Sequence, residues 1–142
     1  MLHVLHPIFV HFSAAFLVAG ASCEAAGILG RKPSLERFGS ALTVAGTISL
    51  LPTVATGFLA ENVLDVPPGA TSLLARHEAM GLWILATFLA AQLWRAWFRG
   101  ALPATQRRLY AAVLLAGVAL VVWGAFLGGE MVYRLGVGVG AG

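Results

Sequence analysis

Few side chains in this sequence could do chemistry. Only four of its 142 residues are histidines, at positions 3, 6, 11 and 77. The stretch His6-Pro7-Ile8-Phe9-Val10-His11-Phe12 sets two imidazoles five residues apart at the opening of an apolar run that continues to about Leu29. His77 lies a comparable distance into a later apolar run. A neutral imidazole is a ligand for haem iron and for iron, copper or zinc ions. Ionisable groups inside a bilayer are costly and mark functional sites by default.

The elements that position these groups follow from composition. Hydrophobic residues make up 59% of the chain, charged residues only 11%, and the mean hydropathy is +0.87. A soluble domain carries roughly 25% charged residues, so the chain reads as an integral membrane protein. A spanning helix needs about 20 mainly apolar residues, and this requirement predicts helices over about 7–29, 35–61, 72–98 and 105–133. The fold class expected is all-α, a four-helix up-down bundle in a single domain, with a flexible glycine-rich tail over 135–142. No internal repeat is legible.

The charge of +3 reports topology rather than an acidic partner, because its sources are sorted by loop. Arg31, Lys32 and Arg37 surround the first loop and Arg95, Arg99, Arg107 and Arg108 the third, leaving Arg76 and Arg134 for the other side. The positive-inside rule then puts both termini on the outer, periplasmic side, and nucleic-acid binding is not expected. The start lacks the basic region of a cleaved signal, so the first helix is expected to stay. A single cysteine, Cys23, offers no internal disulfide. Glu24, near the inner end of the first helix, is expected to pair with Arg31 or Arg37.

In an up-down bundle the first and third helices are diagonal neighbours, which predicts that His11 and His77 face each other near the outer surface. Pro7 suits a first helical position, so His6 is expected to cap the helix while His11 goes one turn inside. Gly57, Gly124, Gly128 and Gly129 remove side-chain volume nearby, as a slot for a flat macrocycle would require. This points to haem b with His11 and His77 as axial ligands, and with Arg76, Arg134, Tyr133 and His6 near the propionates. Pro52 lies mid-helix and is expected to free the carbonyl of Ile48, with Thr47, Ser49 or Thr53 compensating.

The same end also gathers His6, Glu61, Glu78 and Glu130, a mixed imidazole and carboxylate set that suits an iron, copper or zinc ion. A third reading is a cofactor-free accessory subunit that packs through small residues. No nucleophile with an adjacent base is visible, so an electron carrier or subunit is expected rather than a stand-alone enzyme. Its partners would be lipid, redox proteins or other membrane-complex subunits, and quinone.

The pattern His-Pro-x-x-Val-His-Phe at 6–12, a glycine near the end of the second helix, a histidine opening the third, and Gly-Gly-x-x-Val-Tyr at 128–133 followed by Gly-Val-Gly-Val resembles the bacterial membrane family called domain of unknown function 2231. The resemblance covers essentially the whole chain. It implies a four-helix, multi-pass protein of the bacterial inner membrane, without a settled activity.

Overall fold

The computed structural model describes residues 2–61 and 66–138. Four helices account for nearly all of them: α1 (Leu2–Leu29), α2 (Pro33–Glu61), α3 (Thr71–Trp97) and α4 (Ala104–Leu135), with a 3-10 turn at Pro68–Ala70 ahead of α3. Each helix is long and apolar enough to cross a membrane. Large apolar side chains such as Ile48, Trp83, Leu93, Trp97, Trp123 and Phe126 point outward, which in hydrocarbon carries no penalty because lipid tails are as apolar as a protein core. Residues 139–142 of the expected tail lie outside the described residues. Leu135 ends α4, and Gly136 adopts the left-handed conformation (φ 66°) that closes it. There the Gly136 N–H donates to Val132 and the Val137 N–H to Met131, a helix-ending motif that turns Val137 back onto Met131.

α1 begins five residues earlier than expected, with Pro7 inside the helix rather than at its first position. The bond that Pro7 cannot donate is the one to the carbonyl of His3, in the opening turn, so the loss falls where pairing is weakest. His6 is therefore a helical residue and not a cap. At Pro52, α2 also continues. The hydroxyls of Thr47, Ser49 and Thr53 donate to the carbonyls of Thr43, Ala45 and Ser49 rather than to Ile48.

α1 packs on α2 and α4, and α3 on α4 and α2, while α1 with α3 and α2 with α4 form the diagonals. The helices form two hairpins, α1–α2 and α3–α4, and, contrary to the expectation of no repeat, several contacts of the first have counterparts in the second. The relation appears in contacts that recur at one offset. Leu17 of α1 fills the space over Gly46 of α2, and Phe88 of α3 fills the space over Gly117 of α4. Leu17 and Phe88 are 71 positions apart in the chain, and so are Gly46 and Gly117. The same offset of 71 joins Glu24 to Arg95 and Glu36 to Arg107 in ion pairs across the two diagonals. Residues related by a two-fold arrangement meet at its axis, so each diagonal contact is between equivalent positions.

Candidate cofactor site between the hairpins

At the end where α1 and α3 begin, His6 and His77 line one cavity of about 180 Å³. They are 71 residues apart and thus equivalent in the two hairpins. His6 Nδ1 lies 3.0 Å from the Thr53 carbonyl oxygen and 3.3 Å from Thr56 Oγ1. His77 Nδ1 lies 3.1 Å from the Gly124 carbonyl oxygen. In both hairpins the acceptor is 47 residues beyond the histidine. A carbonyl oxygen only accepts, so Nδ1 carries the proton in each ring and Nε2 keeps its lone pair. Thr56 Oγ1 donates its own proton to the Pro52 carbonyl at 2.6 Å, which leaves it free to accept from His6.

Each ring is seated on a glycine of its own hairpin. A Cβ on Gly57 would stand 3.1 Å from His6 Cε1, and one on Gly128 would stand 3.2 Å from His77 Cε1. The space expected as a slot for a macrocycle is therefore covered by imidazoles at these two positions. Leu17 and Leu50 line the inner part of the cavity, and Ser13 and Thr53 add hydroxyls to its wall. Val66 and Val137, again 71 apart, line it from the segments that follow α2 and α4.

His11 does not line this cavity. It is exposed, and its Nδ1 donates to the Pro7 carbonyl at 2.6 Å. The reason is helical phase. His6 and His11 are about 140° apart around α1, and the buried line of that helix runs through Ser13, Leu17, Gly20 and Glu24, which His6 continues and His11 does not. Of the other expected residues, Glu61 and Glu78 line the cavity and interact with each other. Arg76 is exposed, Tyr133 is 91% exposed, and a Cβ on Gly129 would meet the Tyr133 ring rather than an imidazole. Glu130 and Arg134 pair with each other at 2.7 Å on the surface. Among the described residues no three side chains of the His, Cys, Asp and Glu types are grouped to hold a metal ion.

A second polar cluster occupies the opposite end, near the turns that close the hairpins. Glu24 is fully buried, and its Oε1 accepts from Arg95 and, at 3.2 Å, from the Tyr110 hydroxyl. Arg107 donates to Glu36 at 2.5 Å, and Arg95 also lies 3.8 Å from Glu36. The partner of Glu24 is thus Arg95, and the expected partners Arg31 and Arg37 are exposed. Trp94 packs edge-on to Tyr110 and donates to Gln106 at 2.8 Å.

The sequence reading missed Thr53, Thr56 and Gly124 as anchors of the imidazoles and Arg95 as the counter-charge. One signal was present. Writing residues 72–142 beneath 1–71 aligns His6 with His77, Gly46 with Gly117, Gly57 with Gly128 and Val66 with Val137, which identifies the facing histidines directly.

Comparison with known proteins adds the family. One described as a predicted membrane protein, DUF2231, matches residues 2–141. No curated protein and no solved structure matches the chain.

Proposed function

The chain belongs to the DUF2231 family of predicted membrane proteins, and on that premise we propose that it is a b-type haem protein passing single electrons, with His6 and His77 as the residues that would hold the haem iron. One observation carries this reading: two equivalent imidazoles face one largely apolar cavity, each with Nδ1–H held by a backbone carbonyl and Nε2 left to bind iron. Metal-ligating histidines are oriented by this kind of outer hydrogen bond. When bound, the haem would supply a one-electron couple whose potential the two imidazoles and the apolar walls set. The chain's part is to hold both rings and exclude water.

The donors fit a haem better than the volume does. Small-molecule pockets measure roughly 300–1,000 Å³, so a porphyrin requires the hairpins to part at the histidine end. The ion pairs that bridge the diagonals lie at the other end and need not break. A second reading is a single iron, copper or zinc ion on His6 and His77; it needs less volume, but Glu61 and Glu78, which line the same cavity, are not grouped with the two imidazoles and would have to move to complete its ligand set. In either case the basic turn end would face the cytoplasm of a bacterial inner membrane, by the distribution of arginines. The site near the opposite surface would exchange electrons with a redox protein, a complex subunit or quinone.

The test is a visible spectrum of protein purified from haem-sufficient cells, with elemental analysis alongside. A Soret band is expected, lost in His6→Ala and His77→Ala and retained in His11→Ala. Colourless protein with stoichiometric metal moves the assignment to the ion. Protein with neither overturns both readings and leaves a packing subunit.

A further inference from the structure

A shallow groove opens where the second hairpin turns. Leu93, Trp94, Trp97 and Phe98 from the end of α3 and Gln106 and Leu109 from the start of α4 line it. Trp94 is fixed in the wall, because its indole N–H donates to Gln106 Oε1 at 2.8 Å and its ring stands edge-on to Tyr110 with centroids 5.8 Å apart. Leu93, Leu109 and Trp97 are exposed beside it, Trp97 by 84%. The groove is therefore apolar and held in shape before anything binds.

The first hairpin is shut at the corresponding place. The positions 71 before Leu93, Trp94, Trp97 and Phe98 are Ser22, Cys23, Ala26 and Gly27, and a Cβ on Gly27 would collide with the backbone of Glu36. A hairpin of this chain can thus close without large aromatic residues at its turn. Interfacial tryptophans anchor helices generally, which accounts for Trp97 alone but not for Trp94, turned in and locked to form a wall.

Charge distinguishes the ligand. Arg99 follows Phe98 and Arg108 precedes Leu109, and both are exposed. Neither has an ion pair among the described residues, since the carboxylates at this end, Glu24 and Glu36, are held by Arg95 and Arg107. Arg99 also takes a left-handed backbone conformation (φ 50°), which glycine adopts without steric cost. The turn keeps a cation where the easiest residue would be uncharged.

We propose that this groove binds one anionic phospholipid of the surrounding bilayer, with an acyl chain against Trp94, Trp97 and Leu93 and the phosphate held by Arg99 and Arg108. Guanidinium groups pair with phosphate oxygens through charge-assisted hydrogen bonds, and basic pockets between membrane helices suit such headgroups. The apolar wall selects a lipid over a free anion. The site does not depend on the haem assignment.

The test is native mass spectrometry of delipidated protein titrated with phosphatidylglycerol or with phosphatidylcholine of the same chains. Each arginine near an anionic headgroup contributes roughly a factor of five, so phosphatidylglycerol is expected to bind about 25-fold more tightly. Arg99→Gly and Arg108→Gln are each expected to lower that preference about fivefold, with Arg99→Gly melting no lower than wild type because glycine fits the turn. Trp97→Ala is expected to weaken both lipids and leave their ratio. Arg37→Gln, 71 positions before Arg108 on the closed hairpin, is expected to change nothing. Equal affinity for the two lipids overturns the proposal. So does a loss in Arg37→Gln as large as in Arg108→Gln, which would mean diffuse charge, and so does displacement of the lipid by glycerol phosphate at equal concentration, which would mean a site for free anions.

Discussion

The two hairpins hold their histidines alike and pack differently. In the first, Gly20 and Gly27 of α1 and Gly39 of α2 meet the backbone of the opposite helix so closely that a Cβ at any of them would collide with it. The equivalent positions in the second hairpin are Ala91, Phe98 and Tyr110. α1 and α2 consequently lie together along their length, whereas α3 and α4 are held apart by side chains and touch far less. Helix association in lipid depends on close packing because apolar burial supplies no drive there. The first hairpin is the more tightly closed of the two, and α3 is the helix held most loosely by its neighbours. The comparison separates two tasks: a carbonyl and a glycine one turn apart place each imidazole, and the remaining glycines decide how firmly its hairpin is closed.

The strongest way to break this comparison is to put bulk on the tight seam. Gly39→Leu drives a side chain into the backbone of Glu24 and is expected to abolish folded, monodisperse protein on size-exclusion chromatography. Ala91→Gly in the looser hairpin is expected to cost only about 0.5–1 kcal/mol. Similar outcomes for the two would show that the seams do not differ.

Next in size are the ion pairs on the axis. Arg95→Ala leaves the Glu24 carboxylate buried without its counter-charge and should cost about 3–5 kcal/mol, read as a drop in melting temperature. Because positions 24 and 95 are equivalent in the repeat, the exchange Glu24→Arg with Arg95→Glu is expected to recover most of that loss. An exchange no more stable than the single variant would count against the two-fold relation.

The smallest effect concerns the seats of the imidazoles. Gly57→Ala and Gly128→Ala must each shift a ring by a few tenths of an ångström, because the added Cβ would stand 3.1 and 3.2 Å from the Cε1 atoms. Each should cost about 1 kcal/mol, at the low end for overpacking. The two should weaken binding at the site equally, measured by titration of haem or of the metal ion. Unequal losses would mean that the two histidines do not serve one site.

Much of this was legible before any coordinates. Apolar runs of the right length announce membrane helices because the bilayer sets that length, and all four were found within a few residues of their observed ends, apart from the early start of α1. Of the carboxylates expected at that end, Glu61 and Glu78 line the cavity and Glu130 pairs with Arg134 instead. The facing histidine was not. Choosing between His6 and His11 requires the rotational phase of α1, and a helix apolar on every side, as this one is, shows little contrast between its lipid face and its core face. Only the buried line through Ser13, Leu17, Gly20 and Glu24 settles the choice, and that line is defined by contact with other helices. The pairing of Glu24 was missed for a related reason: the nearest cations in sequence, Arg31 and Arg37, sit at the exposed turn, whereas Arg95 reaches it across the bundle.

Composition and run lengths by themselves determined that this chain is a membrane protein of four helices with histidines near one surface. Those properties depend on hydropathy and on the 1.5 Å rise of a helix, which each segment has independently of its neighbours. The tertiary structure decided which histidine faces His77, which arginine neutralises Glu24, and that contacts recur between the two halves at an offset of 71 residues. Each of these is a relation between helices, set by which faces meet, and no single segment contains it.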